Sequence, residues 1–285
     1  MNFTARGELM TEMLAALQLE PVGENIYQAP LVKPSPGTLF GGQMLAQAIV
    51  AAGRGHPTMR VKSIQIVFAR PARADQPVDI TVETIQSGRN FASGSIDFRQ
   101  DARVCARALV LLHTSEPDLI RHQPSMPAVV PPDDASATAQ PLAAPDTIVV
   151  GDVDILNPGA TGPAEIALWV RFPTDKAADP LVSQALLAHA TDGWLIGAAM
   201  RPHAGIGQSM AHKEISTGVV SHSLSFHDEF STAQWCLIDQ RSVFAGNGRA
   251  FGTADVFTQT GRYIASFSQD AIVRRFPGQK TTGAM

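Results

Sequence analysis

One order of elements occurs twice in this chain, and it limits the fold more than any other feature. The first half predicts an apolar helix over 39–52, followed by strands at 61–69, 77–85, 90–99 and 104–114. The second half predicts a strand at 166–172, an apolar helix over 180–200 and strands at 218–226, 233–243, 249–258 and 263–274. Neither helix has a clean polar face, so each has to be covered by a sheet.

The recurrence is also visible in the letters of the sequence. The segment GRNFASG at 88–94 aligns with GRAFGTA at 248–254, and each begins in a turn and continues into a predicted strand. Chance similarity between two Gly- and Ala-rich turns is the alternative explanation. Because the order of elements agrees as well, duplication of one module is the better interpretation.

A long apolar helix followed by about four antiparallel strands is typical of the hotdog architecture, in which the sheet wraps the helix. We therefore predict an α+β fold, a double hotdog with two antiparallel sheets, each wrapped around a long apolar helix. The amino-terminal module spans 1–115 and the carboxy-terminal module spans 166–285. Between them, 116–165 is rich in Pro, Ala, Asp and Ser, and its prolines predict a linker without regular ladders.

Composition excludes several classes of function. A formal charge of −4 gives no basic face for phosphates, so nucleic acid is not expected as a partner. The two cysteines, Cys105 and Cys236, lie far apart and indicate neither a disulfide framework nor a zinc site. Charged residues within 1–14 interrupt any signal-peptide core, and no apolar run is long enough to span a membrane. A cytoplasmic protein without metal or cofactor is the expectation.

One acidic residue stands in the apolar surroundings of the second helix. Asp192 falls in the middle of the predicted helical stretch 184–200. A carboxylate buried there needs hydrogen-bond partners or a chemical task, and a general base fits that requirement. Alternatively, Asp192 caps a new helical segment that begins at Thr191-Asp192-Gly193.

At three places the sequence resembles the type II acyl-CoA thioesterases, also called the TesB-like family. The matching segments are LFGGQ at 39–43, FARP at 68–71 and SFSQD at 266–270. The resemblance extends over nearly the whole chain. It implies a double-hotdog fold and hydrolysis of fatty acyl-CoA to free acid and CoA. It also implies that an Asp, a Thr or Ser and a Gln together activate a water molecule.

Carried over residue by residue, the family's acid falls on Asp192 and its amide on Gln269. The expected hydroxyl falls on Val219, so this chain departs from the family there. Since residues two apart on a strand share a face, Ser221 is the favoured replacement, and Thr217 is the alternative in the other direction.

The resemblance also indicates how the substrate is held. Backbone N–H groups at Gly41 and Gly42 are candidates for binding the thioester carbonyl, next to Gln43. Lys62 occupies a position where many family members have His, and we assign it to the substrate groove. The expected partners are acyl-CoA and further copies of the chain in a homo-oligomer.

Two other functions remain open. A non-catalytic acyl-CoA-binding module is compatible with Val219, and a hydratase-like hotdog enzyme would require an Asp/His pair facing the substrate. Alignment of the two helices places Val50 opposite Asp192, so the first module lacks the acid. The sequence therefore predicts one working site per chain.

Overall fold

A computed structural model describes residues 3–32 and 37–276, so the predicted turn prolines Pro34 and Pro36 lie outside it. The helices are α1 (Phe3–Ala16), α2 (Gly41–Arg54), α3 (Pro180–Ala190) and α4 (Leu195–Met200). The first six strands are β1 (Glu20–Gly23), β2 (Ile26–Gln28), β3 (Arg60–Phe68), β4 (Asp79–Ser87), β5 (Phe91–Gln100) and β6 (Arg103–His113). The other six are β7 (Asp146–Val149), β8 (Glu165–Arg171), β9 (Ile215–Phe226), β10 (Cys236–Gly246), β11 (Arg249–Thr258) and β12 (Tyr263–Arg275).

All twelve strands form one antiparallel sheet in the order β1-β2-β4-β5-β6-β3-β9-β12-β11-β10-β8-β7. The prediction of two separate sheets was therefore wrong. The modules join where β3 pairs with β9, from Ser63 opposite Ser225 to Val67 opposite Ser221. This pairing covers one edge of each module, which leaves only the four-residue strands β1 and β7 at the ends of the sheet.

The strand order is symmetric about the junction of β3 and β9. Reading outward, β6, β5, β4, β2 and β1 on one side correspond to β12, β11, β10, β8 and β7 on the other. The hairpins whose letters recur, β4–β5 and β10–β11, occupy matching places in the two halves. The symmetric order agrees with duplication of one six-stranded module.

Helix α2 follows the predicted span closely and is buried along nearly its whole length, from Gly42 to Gly53. It packs against α3 of the other module, so the two modules share one apolar core. The buried amide of Gln184 on α3 accepts a hydrogen bond from Val61 N–H at 3.1 Å and donates one to the Val61 carbonyl at 2.7 Å. This pair of bonds fixes α3 against β3 of the amino-terminal module.

The second long helix is interrupted, contrary to the prediction. Helix α3 ends at Ala190 and α4 begins at Leu195, with a turn between them. At this turn the segment before β7 approaches so closely that a Cβ on Gly193 would lie 2.0 Å from the Leu142 carbonyl oxygen. Asp and Gly are weak helix formers, so tertiary packing can open the helix here at low cost.

The predicted linker contains more structure than its prolines suggested. Strand β7 lies within it and pairs with β8, from Asp146 opposite Arg171 to Val149 opposite Leu168. The expectation that 116–165 lacks regular ladders was wrong for this stretch, because 146–157 contains no proline. The module boundaries 1–115 and 166–285 stay a prediction.

Among the described residues, no helix combines the length and the apolar character that a membrane-spanning helix requires.

Candidate active site

The carboxylate of Asp192 lies where the two modules meet. Asp192 sits in the turn between α3 and α4, and its side chain reaches the first turn of α2, where it accepts a hydrogen bond from Gly42 N–H. A Cβ on Gly41 would lie 2.6 Å from Asp192 Oδ2, so only glycine permits this approach. The N-cap residue of α2, Phe40, provides no side-chain cap, and Asp192 supplies an acceptor in its place.

The interpretation that Asp192 caps a new helical segment was wrong. The N-cap of α4 is Trp194, which makes no side-chain cap bond. Asp192 instead accepts from the start of α2, a helix of the other module. Capping and catalysis by Asp192 are compatible, because one bond from Gly42 N–H leaves lone pairs of the carboxylate for other donors.

The side chain of Gln269 on β12 is directed at Asp192. Its amide nitrogen lies 3.1 Å from Asp192 Oδ1, 3.1 Å from the Thr191 carbonyl oxygen and 2.7 Å from His222 Nδ1. Carboxylate and carbonyl oxygens can only accept, which fixes the orientation of the amide. Gln269 Oε1 is then buried and has no hydrogen-bond partner among the described residues. It is free to accept a hydrogen bond from a bound molecule.

The hydrogen bonds around His222 on β9 fix its tautomer. Thr191 Oγ1 donates to the Ala188 carbonyl at 2.7 Å, so the same oxygen accepts from His222 Nε2–H at 3.2 Å. His222 Nδ1 is therefore unprotonated and accepts from the Gln269 amide. It also lies 3.4 Å from Asp192 Oδ1, a separation at which a proton taken up by Asp192 can be shared with the imidazole.

Burial raises the pKa of Asp192 above its ordinary value, while the neighbouring His222 ring and the hydrogen bond from Gly42 N–H act in the opposite direction. Asp192 is 7% exposed, Gln269 is 1% exposed and His222 is fully buried. A carboxylate with a raised pKa is a stronger base than a solvated one, and buried acids of this kind are concentrated at functional sites.

Ser221 is not part of this cluster. Its Oγ donates to Asp270 Oδ2 at 2.9 Å on the opposite face of the sheet from His222. The expectation that Ser221 and Val219 share a face was wrong, because a β-bulge shifts the register there: Asp270 pairs with Ser221, but Ala271 pairs with Val219.

Thr217, the alternative hydroxyl, is buried and pairs with Val273. It lies four positions along β12 from Gln269, about 13 Å away at the rise of a strand. The hydroxyl that does join the cluster is that of Thr191, immediately before Asp192 in the chain.

The residues predicted to bind substrate divide into two groups. Gly41 and Gly42 touch the Asp192 carboxylate, and Gln43 follows them in the first turn of α2. Lys62 lies elsewhere: its Nζ donates to the Phe226 carbonyl oxygen, four strand positions from His222. Lys62 is therefore not brought to the cluster, and burial lowers the pKa of its ammonium group.

Two small cavities flank the start of α2 and share Phe40 and Gln43 in their walls. One, of about 220 Å³, extends between α1 and His189, and the other, of about 210 Å³, extends toward β4. The Phe40 ring makes an edge contact with His189 at 4.9 Å between centroids. These cavities lie beside the polar cluster. No group of three or more His, Cys, Asp or Glu side chains in 3–32 and 37–276 is arranged to hold a metal ion.

Sequence reasoning missed His222 and Thr191. The available signal for His222 is its place three residues after Val219, on the strand where the resemblance predicts a site residue. Thr191 was noted only as part of a helix cap.

Comparisons with known proteins agree over most of the chain. The family model "Acyl-CoA thioesterase C-terminal domain" matches residues 124–273, and "Acyl-CoA thioesterase N-terminal domain" matches 31–113. Acyl-CoA thioesterase 2 of Haemophilus influenzae is 28% identical over 287 residues, covering 94% of this chain and 98% of the relative. Human acyl-coenzyme A thioesterase 8 is 25% identical, covering 95% and 92%.

Solved structures give the same result. The acyl-CoA thioesterase II TesB2 of Mycobacterium marinum superimposes with a TM-score of 0.76 at 26% identity, covering 94% of this chain and 100% of the other. A protein of unknown function with a hot dog fold from Alicyclobacillus acidocaldarius has a TM-score of 0.70 at 18% identity, covering 93% and 98%. The second likeness supports a hotdog fold for this chain.

Proposed function

Because this chain belongs to the acyl-CoA thioesterase family, we propose that it hydrolyses fatty acyl-CoA to free acid and CoA on a double-hotdog scaffold. The observation that carries the mechanism is the buried cluster of Asp192, Gln269 and His222 at the start of α2. The three side chains come from the carboxy-terminal module and the helix start that Asp192 contacts comes from the amino-terminal module, so hydrolysis depends on the intact pair.

In this mechanism Asp192 is the general base. A water molecule donates one hydrogen to the Asp192 carboxylate and the other to Gln269 Oε1, the buried acceptor that has no described partner. The two acceptors orient the water lone pair toward the thioester carbonyl carbon. The tetrahedral intermediate expels the CoA thiolate, which takes the proton from Asp192, so no covalent acyl-enzyme is formed.

His222 is a positioning residue that replaces the missing hydroxyl. In the resting state its Nδ1 accepts from Gln269, which holds the amide with Oε1 toward the water. When Asp192 takes up a proton, the new O–H can donate across the 3.4 Å to the same nitrogen. Val219 then needs no hydroxyl, because Gln269 is already oriented through His222 and Thr191.

The start of α2 is proposed to stabilise the developing oxyanion. The positive end of the helix dipole lies there, and the N–H of Gly42 is already used by Asp192. Gly41 and Gln43 are placed beside it as the substrate-binding part of the site.

One site per chain is proposed, since the first module has apolar residues at the matching places. Val50 aligns with Asp192, as noted above. In β11 and β12, Gly252 pairs with Gln269, and in the first module the matching pair is Ala92 with Leu112. An apolar Leu112 cannot orient water.

Measurement of thiol release from acyl-CoA of several chain lengths tests the proposal. We expect release by the wild type, and a roughly tenfold lower kcat in His222→Ala because the Gln269 amide loses the nearest of its three acceptors. Ser221→Ala is the matched control on the same strand, and it should leave kcat unchanged. Absence of release at every chain length would contradict the enzymatic function and favour a non-catalytic acyl-CoA-binding module.

A hydratase-like activity has one observation in its favour, the contact between Asp192 and His222. Both nitrogens of His222 are engaged, with Thr191 and Gln269, and the ring is fully buried. The imidazole is therefore not free to reach a substrate, and hydrolysis fits the cluster better. Hydration of an enoyl-CoA without thiol release would reverse this choice.

We further propose a cytoplasmic homo-oligomer. On the outer face of the sheet, Ile85, Leu109 and Leu111 are exposed at 61%, 52% and 36%. They surround a shallow groove that crosses the junction of β3 and β9. Contiguous exposed apolar side chains of this kind commonly mark a protein interface. Sedimentation at micromolar concentration should give a mass above the 30.3 kDa of one chain, and a monomer would contradict the proposal.

A further inference from the structure

A cavity of about 540 Å³ lies in the carboxy-terminal module, at the end of α4. Its wall is completed by the hairpin of β10 and β11, the last residues of β12 and the loop from His203 to Ile215. Ile196 and Ala271 are buried, pack against its floor and lie between it and the polar cluster. A molecule bound here is therefore separated from Asp192 by packed side chains, so this cavity is a site distinct from the one proposed for catalysis.

The floor of the cavity is apolar. It is formed by side chains that also belong to the cluster around α4, namely Met200, Met210, Ile215 and Val273. Methionine side chains are unbranched and flexible, so this floor can adapt to a flexible alkyl chain. Among the described residues that line the cavity, none is Phe, Tyr or Trp, so a nucleotide base would have no aromatic ring to stack on.

Three exposed arginines meet at the rim of the cavity: Arg249, Arg274 and Arg275. Arg249 begins β11, and a Cβ on the preceding Gly248 would lie 3.3 Å from the Arg274 Cβ, so the fold brings these two arginines together. None of the three forms an ion pair with a described residue, although Arg249 Nη1 donates to the Gly248 carbonyl oxygen at 3.0 Å. Glu214 is the single carboxylate in the wall, so positive charge is in excess here although the whole chain has a formal charge of −4.

An apolar floor below a cationic rim is complementary to an amphiphile with an anionic head. A carboxylate can pair with a guanidinium group through two parallel hydrogen bonds. An alkyl chain attached to that carboxylate covers the apolar floor, whereas a small inorganic anion would leave the floor in contact with water. The cavity therefore fits an alkyl carboxylate better than it fits a nucleotide or a simple anion.

We propose that this cavity is a second binding site, which takes a free fatty acid with its carboxylate on Arg274 and Arg275 and its chain against the floor. The choice of a fatty acid among anionic amphiphiles rests on the proposed thioesterase function, because free acid is what that reaction releases. The bound acid contacts Met200 at the end of α4 and leaves the surroundings of Asp192 open. One chain can therefore hold a free acid and an acyl-CoA at the same time.

Equilibrium dialysis of dodecanoate tests this second site while the active site is occupied by the dodecyl thioether of CoA, which cannot be hydrolysed. We expect the wild type to bind dodecanoate under these conditions. In Arg274→Gln/Arg275→Gln the Kd for dodecanoate should rise about tenfold, because charge-assisted contacts are lost at a surface that water partly screens. Acetate should not displace dodecanoate, since it lacks the chain that covers the floor.

Arg89→Gln is the matched control, because Arg89 aligns with Arg249 in the duplicated hairpin but lies in the other half of the sheet. It should leave the Kd for dodecanoate unchanged. Loss of dodecanoate binding when the thioether is present would overturn the proposal, since the acid would then share the acyl-CoA site. An unchanged Kd in the double variant, or full displacement by acetate, would overturn it as well. Failure of the thioether itself to bind would count against the thioesterase function, and the comparison of the arginine variants would still decide whether the cavity binds the acid.

Discussion

Replacement of Asp192 by Asn should lower kcat for acyl-CoA hydrolysis by about 10³-fold, the range in which loss of a general base falls. The amide is nearly isosteric with the carboxylate and its oxygen can still accept from Gly42 N–H. What the variant loses is the ability to take a proton from water. KM should change little, because Asp192 contacts the attacking water and not the body of the substrate.

Asp270→Asn is the matched control for this substitution. Asp270 follows Gln269 on β12, but its side chain is exposed and accepts from Ser221 on the other face of the sheet. Its replacement should preserve kcat within a factor of about two, since the two faces of a strand are chemically separate. Full activity of Asp192→Asn in thiol release would remove Asp192 from the mechanism while leaving the family assignment intact.

Asp192→Asn should also be more stable than the wild type at neutral pH. Burial raises the pKa of Asp192 in the folded state, so the folded protein binds a proton more readily than the unfolded chain. The contribution of Asp192 to the free energy of unfolding of the wild type therefore falls as pH rises from the ordinary pKa of Asp through the pKa of Asp192 in the folded protein. Thermal melts should give a higher Tm for Asp192→Asn than for the wild type at pH 7. The difference in Tm should disappear in acid, below the ordinary pKa of Asp.

Replacement of Gly193 by Ala should destabilise the fold by about 2 to 3 kcal/mol, as overpacking of a closed contact does. The added Cβ would lie 2.0 Å from the Leu142 carbonyl oxygen and 2.8 Å from the Leu142 Cβ. Backbone atoms cannot rotate away as a flexible side chain can, so the turn and the segment 137–145 have to separate. Activity should fall as well, because Asp192 is the neighbouring residue.

Gly7→Ala provides the control for Gly193→Ala. Gly7 lies in α1, and nothing is within 4 Å of the position of its Cβ. Alanine is the better helix former by about 1 kcal/mol, so this variant should be slightly more stable than the wild type. Urea denaturation, with the midpoint and slope fitted separately, measures both changes. A midpoint for Gly193→Ala equal to that of the wild type would show that the contact at Leu142 is not closed in solution.

The sequence predicted the fold well where the signal was local. Apolar periodicity located α2 and the principal strands within a few residues, and the element order indicated the duplication. Short strands were missed: β2 has three residues, and β7 has four and lies among prolines. Such strands are stabilised by their neighbours in the sheet and carry little signal of their own.

The candidate site was predicted only in part, because only some of its residues carry a local signal in the sequence. Asp192 is an unusual residue in an apolar helix, so the sequence marked it, whereas Gln269 was marked by the resemblance to the type II acyl-CoA thioesterases; the structure places the two 3.1 Å apart. Ser221 was misplaced because a bulge changes the direction of every side chain beyond it, and a bulge is not visible in composition. Because of this bulge, His222 and not Ser221 faces Gln269 and Asp192.

Residue order alone therefore determined the repeated helix and strands, the apolar faces and the acidic residue Asp192 that stands among them, since these depend on periodicity and chemical type. Only the tertiary structure decided that the two predicted sheets are one, that the second helix opens at Gly193 and that Asp192 lies on the first turn of α2. Each of these depends on contacts between residues far apart in the chain: β3 with β9, Leu142 with Gly193, and Gly42 with Asp192. Their free energy is gained only when both modules have packed together.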